Sequence, residues 1–146
     1  MPSQPPLPED DPIRSVACLR FFGDDLSPDE ITALLGHSPS DSFRRGDVEI
    51  FDPSGRTRVQ KTGGWLLENP GGEGDFDAHI AALLTPLTQD LSIWQSLATR
   101  YQPDIFCGYF MNRGTCGIEL AVATMDALAS RGIRFIVCLY AASKED

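Results

Sequence analysis

The residues best suited to chemistry in this sequence are basic side chains clustered between positions 44 and 61. They are Arg44, Arg45, Arg56, Arg58 and Lys61, five of the twelve lysines and arginines in a chain whose net charge is −9. Arginine binds carboxylates and phosphates through paired hydrogen bonds. Together with Trp65, which follows them, these residues predict a binding surface for a small anion or a protein partner. The alternative is a solvated hairpin whose cations are balanced by nearby acids, namely Asp41, Asp47, Glu49 and Asp52.

A second group consists of four carboxylates at the start of the first predicted helix. They are Asp24, Asp25, Asp29 and Glu30. Paired carboxylates suit acid–base catalysis or a divalent cation. The favoured interpretation is structural, because the partial positive charge of a helix N-terminus stabilises acidic side chains. A small hydrolase-type enzyme that uses carboxylates near Asp24 and Asp25 is the alternative function.

Histidine and cysteine give no pattern typical of a cofactor or metal site. Only His37 and His79 are present, and His79 follows Asp75 by four positions, which favours a solvated pair on a helix. A metal site built on Asp75, Asp77 and His79 would need a ligand from another element. None of the four cysteines, Cys18, Cys107, Cys116 and Cys138, forms a Cys-x-x-Cys pair. We therefore predict buried, reduced thiols, no metal and no cofactor.

The glycine-rich segment Gly71–Gly74 precedes a predicted helix, where phosphate-binding loops are found. It lacks the Lys-Ser/Thr ending of such loops, and Glu73 would repel phosphate. A connecting loop is the favoured interpretation.

Length and composition indicate one domain of 146 residues. Positions 1–12 are rich in proline and acid, which predicts a disordered leader, positions 13–142 form the domain, and positions 143–146 form a tail. The leader lacks the pattern of a secretion signal, so we expect a soluble cytoplasmic protein. The acidic charge argues against nucleic acid, and the short apolar stretches argue against a membrane. A homo-oligomer is left open.

Hydrophobic periodicity and turn residues predict an α+β fold in the order β-α-β-β-α-α-β-β-α-β. Strands are expected at 14–22, 48–51, 63–68, 104–111, 116–120 and 133–140, and residues 57–59 extend the strand that returns from the turn at 52–55. Ser27 and Glu30 predict a capping box, Gly36 a left-handed helix end, and Asp75 the cap of the next helix. The expected architecture is a two-layer sandwich, with a mostly antiparallel sheet of about six strands and helices mainly on one face.

Several segments together resemble the bacterial domain-of-unknown-function 4279 family. They read LRFFGDDLSPDEITALLGHSP, FRRGD, GGWLLE, HIAALLTPL and ASRGIRFIVCLY, and the resemblance covers roughly residues 15–140. Family members often begin the last helix with a Ser-Pro-Glu cap, which residues 120–124 lack. The resemblance implies a compact bacterial α+β domain and no particular reaction. Some small acidic domains of this kind are suspected immunity proteins. We therefore expect a non-catalytic binding protein that uses a face carrying Arg44 and Arg45.

Overall fold

The computed structural model describes residues 14–50, 52–72, 75–111 and 117–141. The strands are β1 (Arg14–Gly23), β2 (Asp41–Phe43), β3 (Val48–Ile50), β4 (Thr57–Val59), β5 (Gly63–Gly72), β6 (Asp104–Phe110) and β7 (Arg134–Tyr140). The helices are α1 (Pro28–Leu35), α2 (Phe76–Leu84), α3 (Leu91–Tyr101) and α4 (Val122–Ser130). The α+β class and the approximate order of elements agree with the prediction. The expected leader and tail lie outside the described residues.

The strands form a five-stranded sheet and a separate hairpin. The sheet has the order β2-β5-β1-β6-β7, and β3 and β4 form a separate two-stranded sheet. Every pairing in the large sheet is antiparallel except that of β6 with β7, which is parallel and follows the crossover through α4. The main sheet is mostly antiparallel, as predicted. It has five strands instead of about six, because β3 and β4 form a separate hairpin.

The core lies between one face of the sheet and the helices. Along β1, Ala17, Leu19 and Phe21 are buried while the residues between them are half-buried or exposed, as the two-residue period of a strand requires. Trp65 and Ile105 extend this buried face onto β5 and β6, and all four helices contribute buried side chains to the same cluster. Burying this apolar surface is the main source of stability.

The helix ends agree only in part with the predicted caps. Gly36 has a φ of 79°, so it ends α1 in the left-handed conformation, and the Asp75 carboxylate accepts a hydrogen bond from the backbone N–H of Ala78 at the start of α2. Ser27 is the N-cap residue of α1, but its side chain makes no capping hydrogen bond. Glu30 pairs with Arg100 at 2.9 Å instead of reaching back to Ser27. The predicted capping box is therefore wrong.

Three predicted boundaries are also wrong. Within the expected strand at 116–120, the described residues 117–120 have no regular structure, and 112–116 lie outside the described residues. The strand expected at 63–68 is longer than predicted, because β5 continues to Gly72 and pairs with β1 through an irregularity between Ser15 and Ala17. Residues 41–43, for which no strand is predicted, form β2 and pair with β5. Short polar strands such as Asp41–Phe43 lack the alternation by which strands are recognised.

The last helix begins at Val122 without a side-chain cap, in keeping with the missing Ser-Pro-Glu sequence. The backbone N–H of Ala121 instead donates to the Asp77 carboxylate at 3.0 Å. Val122 and Met125 of this helix are exposed, and Leu128 is its buried residue. Among the described residues, no helix is both long and apolar enough to span a bilayer.

Candidate interaction surface

The β3–β4 hairpin has one apolar and one polar face. Val48 lies opposite Val59 and Ile50 lies opposite Thr57, so these side chains share a face, whereas Glu49 and Arg58 lie opposite each other on the other face. Val48, Ile50 and Val59 are 67%, 71% and 58% exposed. We call these three residues the apolar strip. It presents three β-branched apolar side chains to solvent from one face of a two-stranded hairpin.

The polar face of the hairpin is organised by ion pairs. Arg58 Nε donates to Glu49 at 3.0 Å, and Gln60 donates to the same carboxylate. Glu49 and Arg58 also line a cavity of about 280 Å³ that is bounded by Phe43 of β2. The polar face therefore turns toward β2, and Val48 of the apolar strip also lines this cavity.

The turn between the two strands is held by Asp52. Its carboxylate accepts hydrogen bonds from the Ser54 hydroxyl and from Arg56 Nε, both at 2.6 Å. The Ser54 hydroxyl, followed by Arg56, lowers the pKa of Asp52 to about 2. A carboxylate that stays ionised fixes the turn and neutralises Arg56.

Arg44 and Arg45 meet the acidic residues that were predicted as a separate site. Arg44 Nη2 lies 3.3 Å from the Ser27 hydroxyl and 3.7 Å from the Asp29 carboxylate, and Arg45 Nη1 lies 3.8 Å from the Asp24 carboxylate. The basic and acidic clusters thus face each other across the surface near the start of α1. The side chains of Arg44, Asp29, Arg45 and Asp24 are each more than half exposed. These two ion pairs therefore contribute little to stability.

Trp65 does not belong to this surface. Its side chain is fully buried, meets Phe21 edge-to-face with ring centres 5.7 Å apart, and donates its Nε1–H to the Thr32 hydroxyl at 3.0 Å. On β5 it alternates with Leu66 and points into the core. The five cations of the predicted surface therefore split into two groups, with Arg44 and Arg45 against α1, and Arg56, Arg58 and Lys61 on or beside the hairpin.

His79 is buried, so the interpretation as a solvated pair with Asp75 is wrong. Its Nε2 lies 2.7 Å from the Ser15 hydroxyl of β1, and its ring packs against Phe76. Asp75 caps the helix instead. Sequence spacing alone does not reveal this contact, because Ser15 lies 64 positions away. Buried histidine and serine satisfy each other's polar groups here, as buried polar side chains must.

The cysteines of the described residues are free thiols. Cys107 is buried, whereas Cys18 and Cys138 are only half-buried, so the prediction of complete burial is wrong for these two, and Cys116 lies outside the described residues. Burial raises the pKa of Cys18 to about 11 and of Cys107 to about 12. Within the described ranges, no three histidine, cysteine or acidic side chains are grouped as metal ligands.

Comparison of the sequence with curated proteins and with solved structures gave no match. A family model does match, over residues 12–142 of the 146-residue chain. This range includes every described helix and strand. The chain therefore belongs to the family described as domain of unknown function DUF4279.

Proposed function

We propose that this protein is a non-catalytic binding domain that recognises a protein partner through the β3–β4 hairpin. The observation that carries the proposal is the apolar strip, because Val48, Ile50 and Val59 are all more than half exposed on one face of a hairpin outside the main sheet. An isolated two-stranded hairpin is at best marginally stable in water. A partner that covers the strip would remove this apolar surface from water and stabilise the hairpin.

Charge defines the chemistry of the partner. Between positions 44 and 61, five basic and three acidic side chains give a net charge of +2 in a chain whose total is −9. The expected partner is therefore a protein with an apolar centre and an acidic rim. Such an interface follows the usual arrangement of an apolar core surrounded by charged residues, in which arginine is enriched.

The internal ion pairs are compatible with binding. The side chains of Arg44, Arg45, Arg56 and Arg58 are 54–72% exposed although each has an acidic partner. Exposed ion pairs contribute about 0–1 kcal/mol, so an arginine can exchange its carboxylate for one from the partner at little cost. Long-range attraction to an acidic protein would also accelerate association and weaken with salt.

The hydrolase alternative has less support. Asp24 and Asp25 lie exposed in the turn before α1, and Asp24 faces Arg45. A catalytic carboxylic acid is expected in a cleft that shields it from water. We further propose that the protein is bacterial and cytoplasmic. Its acidic composition supports a protein that binds neither nucleic acid nor membranes. Self-association is left open.

The test compares the wild-type protein with Ile50→Thr and Val59→Thr variants. Threonine keeps the β-branched shape and the strand preference, so the hairpin should remain folded. The matched control is Val122→Thr, because Val122 is 78% exposed and apolar but lies on α4. Proteins that co-purify with each variant from its native host are identified, and any candidate is then purified and titrated directly by calorimetry.

The proposal requires one protein that binds the wild type and Val122→Thr equally and the hairpin variants at least about tenfold more weakly, which corresponds to about 1.4 kcal/mol. The affinity of this protein for the wild type must also fall when the salt concentration rises from about 0.1 M to about 1 M, because the Debye length then decreases from ~10 Å to ~3 Å. Equal binding of all variants would contradict the hairpin as the interface. Absence of direct binding by every purified candidate would contradict the proposed function.

A further inference from the structure

A groove of about 560 Å³ runs between α2 and α4. Ile80 and Leu84 of α2 and Ala127 of α4 give it apolar walls, and Gln89 and Arg131 add polar groups. Small-molecule sites in proteins have this volume and this composition, with mostly apolar walls and a few polar groups that orient the ligand. The groove is distinct from the hairpin, which is built from other elements.

Arg131 is the unusual residue of this groove, because its side chain is buried and no acidic residue in the described part of the chain pairs with it. The residue is only 9% exposed. Its Nη1 donates to the Ala127 carbonyl and its Nη2 to the Gln89 side-chain oxygen, both at 3.0 Å, and its guanidinium lies 5.8 Å from the Trp94 ring centre. All three neighbours are uncharged. Its Nε has no hydrogen-bond partner, and in the described part of the chain no carboxylate forms an ion pair with it.

This arrangement is costly unless a ligand completes it. A buried positive charge without a negative partner is strongly disfavoured, and so is a buried N–H without an acceptor. Arg20, which is also partly buried, does have a carboxylate, Asp104, at 2.8 Å. Gln89 also fixes the guanidinium, because its own amide donates to the Leu87 carbonyl at 2.9 Å, which leaves its oxygen for Arg131. The arginine is therefore held in place beside the groove.

We propose that the groove binds a small organic carboxylate, whose charged group pairs with Arg131 and whose apolar part lies between α2 and α4. A carboxylate matches the planar, fork-shaped set of N–H donors of a guanidinium. A phosphate dianion is a poorer match, because one arginine supplies a single positive charge and the remaining walls are largely apolar. This inference is independent of the protein partner proposed for the hairpin.

Hexanoate is a suitable first probe, titrated into the full-length, isotope-labelled protein while amide chemical shifts are followed by NMR. The expected dissociation constant is about 1 mM, as a ligand with few non-hydrogen atoms permits. The shifts should be concentrated in α2, α4 and the residues around Gln89. Hexanamide, which has the same shape without the charge, should bind at least about tenfold more weakly. Inorganic phosphate should cause no saturable shifts in these helices.

Two variants separate a ligand site from a structural arginine. Arg131→Met keeps an apolar stem and removes the charge, so it should weaken hexanoate binding by at least about tenfold. Ala123→Leu fills the groove from an exposed position on α4 and leaves Arg131 in place, so it should weaken binding by steric exclusion even if Arg131→Met fails to fold. Equal binding of hexanoate and hexanamide, or no saturable shifts with hexanoate, would overturn the proposal, as would wild-type affinity in Ala123→Leu.

Discussion

Arg20 of β1 and Asp104 of β6 lie directly opposite each other and are joined by two hydrogen bonds, of 2.8 and 3.2 Å. The Arg20 guanidinium also stacks over Phe106, 4.5 Å from the ring centre. On the other side of Asp104, its neighbour on β7 is Arg134, whose Nη2 lies 3.6 Å from the carboxylate. One buried acid therefore links three adjacent strands of the sheet.

Asp104→Asn should lower the free energy of unfolding by about 2 kcal/mol, because the amide loses a charged hydrogen-bonded pair and cannot accept both donors of Arg20. Urea denaturation of the wild type and the variant measures this loss. Arg134→Ala is the control, with an expected loss below about 1 kcal/mol, because Arg134 is 64% exposed and its ion pair is long. Equal losses in the two variants would show that Arg20 is not the main partner of Asp104.

Gly132→Ala should destabilise the protein more than Gly36→Ala. Both glycines have positive φ, 70° and 79°, so either substitution places alanine in the left-handed region at a cost of about 1–2 kcal/mol. At Gly132 the added Cβ would also lie 2.6 Å from the Cβ of Ala98, whereas at Gly36 it would meet no atom within 4 Å. Thermal unfolding of both variants makes the comparison. Similar melting temperatures would mean that α3 shifts away from the added methyl group with no loss of stability.

Asp75→Ala should lower the stability by about 1 kcal/mol, and Ser27→Ala should have a smaller effect. The Asp75 side chain accepts a hydrogen bond of 2.9 Å from the backbone of Ala78, whereas Ser27 makes no capping bond. Chemical denaturation of the two single variants tests the difference. A larger loss for Ser27→Ala would mean that its hydroxyl caps α1 in solution rather than accepting from Arg44.

Stability should fall as the pH rises above about 9 because of two thiols, the half-buried Cys18 and the buried Cys107. Desolvation raises the pKa of Cys18 from 9.0 to about 11 and that of Cys107 from 9.0 to about 12. The unfolded chain releases these protons first, so the stabilisation is complete below pH 9.0 and is lost as the pH approaches the folded values. Urea denaturation between about pH 8 and pH 11 measures the decline. A Cys18→Ala, Cys107→Ala variant should show a flatter dependence, and an unchanged slope would contradict the assignment.

Local sequence patterns predicted the features that depend on interactions between residues close together in the sequence. The alternation along β1 and the caps at Gly36 and Asp75 depend on neighbouring residues, and the structure confirms them. The parallel pairing of β6 with β7 was not predicted, because strand order depends on contacts between distant segments. The wrong strand at 116–120 has a similar cause, since a few alternating apolar residues also occur in irregular segments.

The burial of single polar or amphipathic residues depends on distant segments, so local sequence patterns do not predict it. Trp65 was placed on a recognition surface because it follows the arginines, but strand alternation turns it into the core. His79 was expected in solvent, but β1 supplies the Ser15 hydroxyl. Arg131 was missed altogether, since nothing in its sequence neighbourhood shows that α2 and Gln89 will enclose it. The exposure of the apolar strip was not predicted, because valine and isoleucine in a strand are usually core residues.

The position of β1 in the centre of the sheet has a consequence for how the chain folds. Cys18 of β1 pairs with Glu68 on one side and with Phe106 on the other, so both neighbours come from much later segments. During synthesis, which proceeds from the N-terminus, β1 must wait for most of the chain before its second edge is paired. Each pairing also closes a long loop, which slows folding compared with local contacts. The central strand of the sheet, β1, therefore has an unpaired edge for most of synthesis, and this edge is open to aggregation in the nascent chain.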